Sequence, residues 1–138
     1  RFASRKASLA SRALRLAKTN ARTLGLKIPQ ITLRKGPLLK PWTQQLKKAV
    51  RLGVDIYITA NLPYLSPKTY KQAQMQVKKF ESRGALFGGG LDGLNLYKKL
   101  IDQMVECEPK PKRGPEPKLK IKLLVLEIDP HQNVPLKK

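Results

Sequence analysis

The alternation of hydrophobic and polar positions predicts three helices and two strands in the larger part of the chain. Apolar residues recur every three or four positions in residues 42–52, 66–83 and 91–107, which predicts helices. Strict alternation over residues 54–60 predicts a half-buried strand. The apolar residues of 119–128 predict a second strand that pairs with it. We therefore expect a small α+β domain of about three helices and two or three strands.

A basic helix followed by an extended arm is predicted before this domain. In residues 4–24 the basic side chains fall on one side of a helix, alanine and leucine fill the other, and Gly25 provides an end. Such a helix is typical of a membrane-surface segment, a calmodulin-type target or a nucleic-acid contact, and also of the remnant of a transit peptide. Because its apolar side is mostly alanine and has no tryptophan, contact with RNA or protein is favoured over membrane insertion. The prolines and glycine of residues 26–40 predict an extended arm.

These elements predict the domain organisation. Residues 1–37 form the basic helix and arm, and residues 38–130 form the α+β domain. That domain includes a basic, proline-rich linker over residues 109–118. Residues 131–138 form a polar tail.

The charge distribution indicates a polyanionic partner. Residues 1–54 contain fourteen Lys or Arg and no Asp or Glu, within a chain whose net charge is +20. Like charges repel in a compact state, so an external polyanion is expected to neutralise them. The sequence lacks the aromatic pattern of base-stacking RNA domains, so we expect contacts to phosphates and no reading of sequence. The residues predicted to bind RNA are Arg5, Arg12, Arg15, Arg22, Lys27, Arg34, Lys35, Lys47, Lys48, Arg51 and Arg113.

Catalytic and metal chemistry is not predicted. The chain has one cysteine, Cys107, and one histidine, His131, so a structural metal site is not expected. Gly88–Gly93 fits the pattern G-x-G-x-x-G, but a helix is predicted before it where a dinucleotide fold would have a strand. A connection between helices is therefore favoured over nucleotide binding. We expect no catalytic residue, no metal, no cofactor, no small-molecule substrate, no membrane span and no enzymatic activity.

The chain resembles mitochondrial ribosomal proteins as a class. The resemblance lies in the acid-free start with the composition of a transit peptide, the basic helix, the proline-broken arm, the small mixed core and the basic linker. It implies a structural constituent of the mitochondrial ribosome in the matrix, with rRNA and neighbouring ribosomal proteins as partners. Two alternatives remain open: an accessory subunit of an organellar membrane complex, and a protein that compacts nucleic acid without sequence specificity.

Overall fold

A computed structural model describes residues 9–27, 30–107 and 121–132. The chain divides into two compact units, Arg1–Thr43 and Gln44–Lys138. The predicted linker of residues 109–118, together with Arg5 and Arg113, lies outside the described residues.

The first unit contains the predicted basic helix, α1, over Leu9–Thr23. The helix ends where Gly25 takes a φ of 72°, a conformation that glycine adopts without a Cβ clash. The Leu26 N–H donates to the Ala21 carbonyl at 2.9 Å, and the Gly25 N–H donates to the Arg22 carbonyl at 3.0 Å. This pair of bonds is a Schellman motif, which turns the chain back at the end of the helix.

The second unit contains both strands and most of the helices. A 3-10 turn over Lys40–Trp42 belongs to the first unit; helix α2 follows it over Thr43–Arg51 and ends at Gly53, whose φ is 65°. The elements that follow are β1 (Ile56–Ala60), α3 (Pro67–Gln72), α4 (Met75–Phe80), α5 (Arg83–Leu86), α6 (Asn95–Glu106), β2 (Ile121–Leu126) and a 3-10 turn over Pro130–Gln132.

The two strands pair in parallel, which confirms both the predicted pairing and the predicted α+β class. A parallel pair requires a crossover connection, and α3 to α6 lie within the chain that makes it. The register is irregular between Ile56 and Tyr57, where the partners advance from Ile121 to Leu123. The irregularity leaves Lys122 without a strand partner and shifts the phase of burial, so that Leu124 is half-buried and Leu123 is exposed.

The core of this unit forms around α6. Leu94, Tyr97 and Leu100 are at most 3 % exposed, and Val50 of α2 and Cys107 join them. The apolar stripe predicted for residues 91–105 is thus core along one side. Its other side, with Ile101 and Val105, is exposed.

The single helix predicted over residues 66–83 is wrong, because two short helices, α3 and α4, lie in this region and α5 begins at its last residue, Arg83. The start of α3 agrees with the sequence: the Ser66 hydroxyl accepts from the Thr69 N–H, and Pro67 follows it. The helix stops because Ala73 takes an extended ψ of 141°. The chain then returns, so that Arg83 lies 5.8 Å from the Tyr70 ring centroid.

Candidate active site

A pocket lies at the carboxyl ends of the two parallel strands. Asn61 follows β1 directly and Glu127 follows β2 directly, and the Glu127 N–H donates to the Ala60 carbonyl at 3.1 Å. In open parallel sheets, ligands bind at this edge. The pocket has a volume of about 430 Å³ and is lined by Asn61, Leu62, Pro63, Tyr64, Leu65, Glu81, Ala85, Leu86 and Glu127.

Tyr97 of α6 fixes the loop that follows β1. Its side chain is fully buried, and its hydroxyl accepts from the Leu62 N–H at 3.2 Å. The same hydroxyl lies within hydrogen-bond distance of the carbonyls of Leu62 and Glu127. One phenol therefore joins the ends of both strands. Burial is also the main cause that raises the pKa of Tyr97, so the phenol stays protonated.

The glycine-rich loop packs against the same segment. A Cβ on Gly88 would collide with the Gly93 carbonyl and would lie 2.6 Å from the Pro63 carbonyl oxygen. A Cβ on Gly93, whose φ is 76°, would collide with the Tyr64 carbonyl. Both glycines are buried, so they allow the close approach of two backbone segments and offer no open surface to a phosphate. This packing gives the G-x-G-x-x-G pattern a structural role.

Gln132 completes the support of the pocket. Its side chain is 6 % exposed, and its amide nitrogen donates to the carbonyls of Tyr64 at 2.7 Å and Asp92 at 2.6 Å. Its amide oxygen accepts from the Asp129 N–H at 3.0 Å. Three loops are therefore held together by one buried carboxamide whose donors and acceptor are in use.

The polar groups of the pocket are neutral or acidic. The Tyr64 hydroxyl lies 3.4 Å from a Glu127 carboxylate oxygen, and burial followed by the Glu127 charge raises the pKa of Tyr64. The exposed carboxamide of Asn61 offers both a donor and an acceptor. No residue that lines the pocket is basic, although the chain as a whole carries a charge of +20. The pocket is therefore suited to a neutral hydrogen-bonding group and unsuited to a phosphate.

Within residues 9–27, 30–107 and 121–132, no three His, Cys, Asp or Glu side chains group closely enough to hold a metal ion. No helix in the described part of the chain has the length and apolar character needed to cross a bilayer.

The residues predicted to bind RNA fall in both units. Arg12, Arg15 and Arg22 are exposed along α1, and Lys27 is exposed just after it. Lys47, Lys48 and Arg51 are exposed on α2. Three of the predicted residues have intramolecular partners. Arg34 donates to the Pro41 carbonyl at 2.9 Å and lies 4.9 Å from the Trp42 ring centroid, Lys35 donates to the Ser11 hydroxyl at 3.1 Å, and Arg51 donates to the Lys47 carbonyl at 3.4 Å.

The chain is similar to two bacterial enzymes. It is 30 % identical over 96 residues to the release factor glutamine methyltransferase of Bacillus anthracis. It is 29 % identical over 96 residues to the protein of the same name from Bacillus cereus. Each match covers 70 % of this chain and 30 % of the relative, so the chain matches less than a third of the length of these relatives. No family model and no solved structure matches the chain.

These relatives contradict the prediction that the protein is not an enzyme. That prediction was based on the missing nucleophiles and general bases, such as a positioned histidine or a reactive cysteine. A methyl transfer to an amide does not need an enzyme nucleophile, because the amide nitrogen of the acceptor is the nucleophile. The absence of such residues therefore does not exclude this type of chemistry.

Sequence reasoning missed the residues of the pocket. Asn61, Leu62 and Pro63 are predicted from the sequence to form a turn, and Glu127 to be part of the strand of residues 119–128. One signal was present: helices between two strands that are predicted to pair favour a parallel pairing, in which the residues after the carboxyl ends of the two strands meet. The burial of Tyr97 and Gln132 at this edge depends on tertiary packing and has no such signal.

Proposed function

We propose that this chain forms part of a methyltransferase that modifies the side-chain amide of glutamine, and that the pocket at the strand ends receives this amide. The main support is the similarity to two release factor glutamine methyltransferases. The pocket chemistry agrees with such an acceptor, because a glutamine side chain is neutral and the lining residues include no cation.

Asn61 is the residue we assign to bind the acceptor. Its carboxamide can donate one hydrogen bond and accept another, and a second carboxamide is complementary to that pair. The nitrogen of an amide is a weak nucleophile. Holding it in a fixed orientation toward the methyl group can therefore supply much of the rate acceleration. The bonds from Tyr97 to Leu62 hold the residue next to Asn61 in place.

Glu127 is suited to take the proton that the reaction releases. When the new N–C bond forms, the amide nitrogen must lose one proton, and a carboxylate within the pocket can accept it. The methyl donor supplies an electrophilic methyl group when it is bound. The described glycine loop does not form a cradle for such a donor, since Gly88 and Gly93 are packed against backbone.

A methyl-transfer assay on the purified native protein tests this function. With a labelled methyl donor and a release factor as acceptor, we expect label on a glutamine side chain. Asn61→Ala should lower the rate by about a hundredfold or more, because it removes the group that orients the amide. Asn20→Ala, at an exposed position of α1, is the matched control and should leave the rate unchanged.

A binding experiment examines the acceptor alone. A glutamine-containing peptide should shift the NMR signal of the Asn61 side-chain amide. The same peptide with glutamate in place of glutamine should bind at least about tenfold more weakly, because Glu81 and Glu127 line the pocket. Equal binding of the two peptides, or an unchanged rate in Asn61→Ala, would contradict the assignment.

We also propose that the first unit contacts RNA phosphates, in the setting of the mitochondrial ribosome that the sequence predicts. The support is the exposed series Arg12, Arg15 and Arg22 on α1 together with the lack of acidic residues in positions 1–54. Replacing the three by Gln should reduce the log–log salt slope of RNA binding by roughly three units. The native protein should co-sediment with ribosomes and should lose this co-sedimentation after ribonuclease treatment. Unchanged co-sedimentation of the triple variant would contradict the proposal.

A further inference from the structure

The first unit contains a groove that combines an apolar floor with a cationic rim. It has a volume of about 520 Å³ and is lined by Lys18, Ala21, Arg22, Leu26, Lys27, Ile31, Thr32 and Leu33. Neither the predicted phosphate contacts nor the proposed methyl transfer requires an apolar groove here.

The local sequence explains why the groove forms. The Schellman motif at Gly25 turns the chain, and its bond from the Leu26 N–H to the Ala21 carbonyl joins Leu26 to a buried residue of α1. The Gln30 side chain then accepts from the Lys27 N–H at 2.9 Å, and the Ile31 N–H donates to the Lys27 carbonyl at 3.3 Å. These bonds bring residues 31–33 to line the same groove as the last turns of α1.

The floor of the groove is apolar and partly open. Ala21 is 7 % exposed and Ile31 is half-buried, whereas Leu26 and Leu33 keep 40 % and 38 % of their surface accessible. Apolar surface of this kind is stabilised when another apolar group covers it. RNA phosphates would leave it uncovered, and none of the lining residues is an aromatic on which a base could stack.

The rim carries three positive charges without an acidic neighbour in the unit. Lys18 and Arg22 are four residues apart on α1, a spacing that places them on the same side of the helix, and Lys27 lies just after it. Residues 1–54 contain no Asp or Glu, so no carboxylate of this unit can pair with them. Among the described residues, neither ion pair of the chain involves these three.

We propose that this groove binds a single-chain amphiphile with an anionic head group, such as a long-chain carboxylate. The apolar chain would cover Ala21, Leu26, Ile31 and Leu33, and the head group would lie against Lys18, Arg22 and Lys27. The volume is within the range of pockets that hold small ligands. The charge complementarity favours an anion over a neutral or cationic amphiphile of the same length.

Calorimetric titration of the full chain with monomeric dodecanoate tests the site. We expect saturable binding at one site. Octanoate should bind at least about tenfold more weakly, since each methylene that becomes buried strengthens binding roughly fourfold. Dodecyltrimethylammonium should not bind, because its head group is positive. Equal affinity for dodecanoate and octanoate would overturn the proposal.

A matched pair of charge variants locates the head group. Lys18→Gln/Arg22→Gln should weaken dodecanoate binding about tenfold, whereas Arg12→Gln/Arg15→Gln removes the same charge from α1 outside the groove and should have little effect. Equal losses in the two variants would show a diffuse effect of charge and would overturn the site. RNA binding, in contrast, should be weakened more by Arg12→Gln/Arg15→Gln, which removes two predicted phosphate contacts, than by Lys18→Gln/Arg22→Gln, which removes one.

Two further measurements distinguish binding in the groove from a loss of folding and from binding to a membrane surface. Ile31→Asp puts a carboxylate in the floor and should abolish binding, while circular dichroism should show that α1 is retained. Vesicles of anionic phospholipid provide the membrane source of the same chemistry. Binding to vesicles without binding to monomeric dodecanoate would show a membrane-surface helix and overturn the groove.

Discussion

At the scale of single residues, the backbone beside the pocket is packed so closely at Gly93 that it leaves no room for a Cβ. Gly93 has a positive φ and also lies against the Tyr64 carbonyl, whereas Gly53 has a positive φ with nothing near the position of a Cβ. Replacing each glycine by alanine therefore distinguishes two costs: the left-handed backbone, which both positions share, and the close packing, which of the two only Gly93 has.

Gly93→Ala should destabilise the second unit much more than Gly53→Ala. We expect a cost of about 1 kcal/mol for Gly53→Ala, from the left-handed backbone alone. For Gly93→Ala we expect a cost above about 3 kcal/mol, because the Cβ must displace backbone atoms. Urea unfolding measures both, and similar values for the two variants would show that the loops separate easily.

Tyr97→Phe should lower the free energy of unfolding by about 1–3 kcal/mol, because it leaves the Leu62 N–H and the carbonyls of Leu62 and Glu127 without the Tyr97 hydroxyl as a partner. Tyr57→Phe, at a side chain that is 67 % exposed, is the control and should change stability little. Amide hydrogen exchange at Leu62 should also become faster in Tyr97→Phe alone. An unchanged rate there would mean that the phenol does not hold the loop.

At the scale of secondary structure, the sequence predicted the elements that local signals determine. Helix α1 and its end at Gly25, the start of α3 at Ser66 and Pro67, and the alternating strand β1 all follow from caps and periodicity. The break of the predicted helix after α3 could not be predicted in this way. The Leu65 N–H, before α3, donates to the Leu86 carbonyl at 2.9 Å, and this contact between residues far apart in sequence requires the chain to fold back between them.

The pocket was missed for a related reason. Its residues come from the segments after the two strands, from α5 and from Glu81, which are far apart in the sequence and meet only in the folded chain. The composition of the chain predicted a site among the basic residues, because they are numerous. The pocket instead has few polar groups, and none of them is a residue type that by itself indicates catalysis.

The start of α6 should make stability depend on pH. The hydrogen bond from Lys98, at 2.6 Å, and then the Leu94 N–H lower the pKa of Asp92 below its ordinary value. A lowered pKa in the folded state stabilises the fold above the unfolded pKa of about 3.9, and this stabilisation is lost as the pH falls through the folded value. Both side chains are partly exposed, at 60 % for Lys98 and 36 % for Asp92, so we expect less than about 1 kcal/mol.

Urea unfolding of the native chain and of Asp92→Asn between pH 2 and pH 7 measures this contribution. The two stabilities should differ at neutral pH and converge at the acid end. A difference that stays constant over the whole range would assign the effect to hydrogen bonding instead of charge.

At the scale of the whole molecule, Cys107 provides a probe of the second unit. Its side chain is 2 % exposed, and burial is the main cause that raises the pKa of its thiol, with Lys47 opposing and Glu106 adding to the shift. A thiol reagent should therefore react with it only when the unit opens.

Labelling of Cys107 at pH 8 should be slower than labelling of an unfolded peptide thiol by a factor that follows the unfolding equilibrium. The rate should rise with urea in step with global unfolding, and Tyr97→Phe should raise it in proportion to its loss of stability. Rapid labelling in the absence of urea would show that α6 separates from the core without global unfolding.

The parallel pairing of β1 and β2 also has a consequence for how the chain folds while it is being synthesised. Ile121 lies 65 positions after Ile56, its partner in the sheet. At about 5–20 residues per second, roughly 3–13 seconds pass between the synthesis of the two partners. During that interval the apolar residues 56–60 have no strand with which to pair, so their co-translational protection is expected until residues 121–126 have been translated.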